Sequence, residues 1–71
     1  MASVASYVYT RLGVEALEDW TNLTREMKTL HEKLQETPSD EVDRILQEIH
    51  SLGIRISQIE KAASVPPDLP R

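Results

Sequence analysis

Cysteine and phenylalanine are both absent from the 71 residues. Without thiols there is neither a disulfide framework nor a thiolate metal site, and cysteine usage says nothing about redox compartment. Aromatic side chains are limited to Tyr7, Tyr9 and Trp20. Glycine occurs only twice, and no long polar tract breaks the chain, which argues against wholesale disorder. An excess of positive charge is also lacking: 12 acids face 8 bases, for a net charge of -4. Bulk nucleic-acid binding and anionic-membrane binding both need a basic patch, so both are disfavoured. No apolar run approaches the ~20 residues of a membrane span. The opening "MASVASYVY" has no charged n-region and too short an apolar core for a signal peptide, so the expectation is a soluble cytoplasmic protein. "NLT" at Asn22 to Thr24 matches a glycosylation acceptor and is read as chance. A chain this short makes one domain with a modest core.

What is present is a heptad pattern in two blocks. The first is Ala16, Trp20, Leu23, Met27, Leu30 and Leu34; the second is Val42, Ile45, Ile49, Leu52, Ile56, Ile59 and Ala63. Steps of three and four place each set on one helical stripe, whereas the strand period of two fits neither. Between them lies "ETPSDEVD". Pro38 cannot continue the first helix and biases Thr37 away from helical geometry, yet it suits the first turn of a second helix. Thr37 or Ser39 can cap, and Asp40, Glu41 and Asp43 suit the positive end of a helix dipole. The reading is one helix from about Val14 to Glu36 and another from about Ser39 to Ala63, turning near 37–40. So short a connection makes them antiparallel neighbours. Opposite charges at i,i+4 (Lys28 and Glu32, Asp40 and Arg44, Arg44 and Glu48) are read as a solvated outer face.

The flanks are less patterned. In residues 1–13, Val4, Tyr7, Val8 and Leu12 fit a short helix capped by Ser3 and broken at Gly13, while "YVYT" also fits an extended arm. Residues 64–71 carry three prolines and read as a loose, polyproline-like tail.

No chemistry stands out. His31 and His50 are the natural catalytic or metal candidates, but a turn centred near Pro38 sets His31 opposite about Ile45 and His50 opposite about Glu26. The imidazoles would then not converge. No inward Glu-x-x-His spacing and no glycine-rich phosphate loop is present. The expectation is therefore no enzyme, no cofactor, no metal and no small-molecule substrate. Trp20 and Met27 are read as core, with Trp20 near an end or edge where its N–H finds an acceptor. Gly53 costs ~1 kcal/mol inside a helix, which is either tolerated or marks close approach by another backbone.

The stretch "TLHEKLQETPSDEVDRILQEIH", with Thr29, Leu30, Glu32, Lys33, Leu34, Glu36, Asp40, Glu41, Ile45 and His50 in ungapped order, resembles the corner of the Rop (repressor of primer) helical-hairpin family. That resemblance implies an antiparallel hairpin pairing with a second copy into a four-helix bundle. The family's RNA-binding role does not carry over: the matching outer positions are Glu18, Asn22, Glu26 and Lys33, and two of them would repel phosphate. "KLQETPSD" also resembles the hairpin corner of type III secretion needle subunits, a likeness that stops after the turn.

The expected fold is thus all-α, a hairpin over 14–63 dimerising into a four-helix bundle. The expected function is a protein–protein interaction module, self-associating as a scaffold or adaptor. The alternatives are a helical subunit of a larger heteromeric assembly and a Rop-like RNA-binding regulator. The interface residues would be Trp20, Leu23, Met27, Leu30, Leu34, Val42, Ile45, Ile49, Leu52, Gly53, Ile56 and Ile59. The partner would be a second copy or another helical protein.

Overall fold

The computed structural model describes residues 3–69. Among them all regular structure is helical: α1 spans Val4–Leu12, α2 Val14–Leu34 and α3 Val42–Ala62. Each boundary has a local cause. Ser3 caps α1, its hydroxyl accepting from the Ser6 N–H at 3.2 Å. Gly13 separates α1 from α2 at φ 98° and ψ -179°, a region open essentially to glycine alone. Its N–H donates to the Tyr9 carbonyl and its carbonyl accepts from Leu17, so this one residue closes α1 and opens α2.

Between α2 and α3 the chain turns over 35–41. α2 ends at Leu34 and α3 starts at Val42, so both helices are shorter at this corner than the sequence suggests. The capping also differs from expectation. Thr37 Oγ1 donates to the Lys33 carbonyl at 2.7 Å, closing the end of α2 instead of the start of α3. The N-cap of α3 is Glu41, without a side-chain capping bond. Pro38 acts through its carbonyl, which accepts from the Glu41 N–H at 2.9 Å in a tight turn. Arg44 lies 3.9 Å from Glu41, an exposed i,i+3 pair of little energetic weight.

α3 ends in a Schellman motif: the Val65 N–H bonds to the Glu60 carbonyl and the Ser64 N–H to the Lys61 carbonyl, both at 3.0 Å. The left-handed residue this requires is Ser64, at φ 56°. The motif turns the chain back over α1. The loose-tail expectation is therefore corrected at two positions: Val65 and Leu69 pack on the cluster of Val4, Val8 and Ala63, together with Ala16, Leu17, Trp20 and Ile59. A second cluster holds Leu23, Leu52 and Ile56, with Trp20, Met27, Leu30 and Ile59 against it. Trp20 and Ile59 touch both clusters and join α1 to the α2–α3 pair. The residues that meet across α2 and α3 run in opposite order, Trp20 with Glu60 and Met27 with Gly53.

Candidate association surface

The twelve positions expected at an interface divide by burial. Leu23, Ile45, Leu52 and Ile56 are buried inside this single chain. Trp20, Met27, Leu30, Leu34, Val42, Ile49, Gly53 and Ile59 are half-buried. The first four thus serve the chain's own core. Those of the remaining eight that line the grooves beside the α2–α3 seam keep a face open to a partner.

Trp20 and Glu60 show how the core tolerates polarity. The indole N–H donates to the Glu60 carboxylate at 2.9 Å. Glu60 is only 5 % exposed, yet its buried oxygens are satisfied. Sequence reading missed Glu60, because an acid on an apolar stripe reads as solvent-facing. The available signal was its place four residues after Ile56 and three before Ala63, opposite the one indole donor.

Two grooves flank the α2–α3 seam. One is lined by Leu30 and Leu52 together with the exposed residues Arg25, Arg44, Arg55, Glu26 and Glu48. The other groove is lined by Met27, Ile49, Gly53 and Ile54, with His31, His50 and Lys61 among its polar residues. No acid lines it. Beside it Leu46 is 46 % exposed and Ile54 47 %. Val42, Leu46, Ile49 and Gly53 follow one another at steps of four, three and four, a second stripe beside the core stripe of α3.

The histidine placement corrects the sequence expectation. Met27 meets Gly53, a register that sets His31 level with Ile49 and brings both imidazoles into one groove. The expected register failed because the helices pair about Asp40, two residues beyond Pro38: Trp20 meets Glu60 and Met27 meets Gly53.

Gly53 gains a specific meaning here. A Cβ built on it would meet only Met27 Cε, at 3.5 Å, an ordinary van der Waals distance. The α2–α3 contact therefore does not need glycine at this place. A third apolar group surrounds the α1–α2 corner, where Tyr9 is 57 %, Leu12 38 % and Val14 56 % exposed.

Among the described residues no group of three or more His, Cys, Asp and Glu side chains is placed to hold a metal ion. No described helix is long and apolar enough to cross a membrane. No protein-family model, curated protein or solved structure matches this chain.

Proposed function

We propose that this chain is a non-enzymatic helical interaction module that associates with itself, α2 and α3 forming an antiparallel hairpin that docks on a second hairpin to give a four-helix bundle. One observation carries this reading: the chain leaves too much surface uncovered. Its accessible area is 5369 Å², whereas a compact monomer of this mass exposes about 4,500 Å². The excess, roughly 900 Å², is close to what one partner contributes to a standard interface. The exposed part includes Leu46 and Ile54, beside half-buried Met27 and Ile49.

Paired substitutions test it. Ile56→Asp strikes the chain's own core, where the side chain is 5 % exposed, and should unfold the protein whatever its assembly state. Ile54→Asp strikes a surface residue and should leave the secondary structure of one chain intact while reducing the mass in solution by half. Unchanged mass for Ile54→Asp, with Ile49→Asp also without effect, would refute association through this face.

A second reading has its own support. Tyr9, Leu12 and Val14 are exposed apolar residues at the α1–α2 corner that line neither of the two grooves above, as a subunit of a larger heteromeric assembly would need. Leu12→Asp and Val14→Asp should leave self-association untouched. Loss of the dimer in those variants would move the interface to the α1–α2 corner.

A further inference from the structure

The acid-free groove has a consequence if the self-association reading, on which this inference rests, is right. We infer that this groove is the seat of the second copy, and that protonation of His31 and His50 drives the two copies apart.

The choice of groove follows from chemistry already described. Leu46 and Ile54 stand exposed at this groove beside Met27, Ile49 and Gly53, whereas the opposite groove offers only half-buried Leu30 and buried Leu52. Area supports a second copy as the occupant, since the excess of roughly 900 Å² per chain matches one side of a standard two-partner interface.

The gate follows from the charges that face the groove. α2 contributes His31, and α3 contributes His50 and Lys61. Ser57 and Lys61 also border the recess of Val4, Val65 and Pro66, whose lining acid, Glu60, accepts from the Trp20 N–H. Asp43 shares a shallow outer recess with His50 but does not line the groove. Docking two copies gathers four imidazoles and two ammonium groups in one seam without a lining carboxylate. Neutral imidazole tolerates that cover. Imidazolium loses water and gains cationic neighbours, and both effects disfavour the charged form. Protons therefore bind the separated chains more tightly than the pair, and acid shifts the equilibrium towards separation. Lys61 can keep its ammonium at the seam's edge on its long stem.

Sedimentation equilibrium on the full chain at pH 8 and pH 5.5 tests this, comparing the parent with His31→Gln/His50→Gln and with Gly53→Leu. The parent should dimerise at pH 8 and bind itself about tenfold or more weakly at pH 5.5, across the range where imidazole titrates. The double variant should dimerise equally at both values. Gly53→Leu should fail to dimerise at pH 8 while keeping its helical spectrum. A parent dimer equally tight at both pH values would overturn the gate and leave self-association standing. Acid weakening that persists in the double variant would also overturn it, assigning the effect to carboxylates. A dimeric Gly53→Leu would displace the seam from this groove. A parent that is monomeric at both values would overturn the self-association reading itself.

Discussion

At Ser64 the chain accepts a strained backbone in order to turn. An L-residue in the left-handed region costs roughly 1–2 kcal/mol, and glycine removes that cost. Ser64 is exposed and makes its bonds through the backbone. Ser64→Gly should therefore raise stability by about 1 kcal/mol, read as a higher denaturant midpoint at unchanged slope. No gain would mean that the serine hydroxyl or the stiffer unfolded chain compensates. Gly13 is the opposite case. Nothing lies within 4 Å of a Cβ placed there, so space is not the constraint, but φ 98° is. Gly13→Ala should cost about 1–3 kcal/mol and loosen α1 first, which amide exchange at Val8 and Tyr9 would report. If Gly13→Ala melts like the parent, the α1–α2 corner is not held in this conformation.

Elements were legible where periodicity was strong and neighbours were local. The stripes Ala16 to Leu34 and Val42 to Ile59 fall on α2 and α3, Ala63 is the C-cap of α3, and Ser3 and Gly13 bound α1 as their chemistry suggests. What sequence could not supply was register and long-range packing. The corner illustrates the first: "ETPSDEVD" holds enough capping residues for several turn lengths, and only the Thr37 bond to Lys33 and the Pro38 to Glu41 turn choose among them. Hence the misplaced histidines. Thr37→Ala should cost up to about 1 kcal/mol and fray the end of α2, whereas Ser39→Ala should be close to neutral. A cost for Ser39→Ala equal to that for Thr37→Ala would show that Ser39 caps α3 after all. The tail illustrates the second point. Val65 and Leu69 have no period to reveal them, because the prolines around them forbid helix, and their packing against Val4 and Val8 is set by tertiary geometry. Removing residues from Val65 onward should lower the melting temperature by several degrees, given about 1 kcal/mol for each half-buried side chain. An unchanged melt would show that the tail does not seal α1.

For the whole molecule, shape and surface point the same way. The radius of gyration is 13.7 Å, against about 11 Å for a compact domain of this length. The extents, 42 × 22 × 15 Å, are those of a slab one layer of helices thick, with little interior. Its buried apolar residues form a core at the α1 end and a thin seam along α2 and α3, leaving one face of α3 with a second apolar stripe. Doubling the slab face to face would give that stripe a neighbour. Sequence periodicity contains both stripes, but which of them the chain itself uses is decided by the packing of Leu52 and Ile56 against Leu23 of α2. The measurement that tests the central claim most directly is thermal unfolding followed by circular dichroism across about a hundredfold range of protein concentration, at pH 8. An assembly formed only by folded chains must melt at higher temperature as concentration rises, because mass action favours the associated state. The account predicts that rise, together with a solution mass twice that of the chain. A concentration-independent melt at the monomer mass would contradict it.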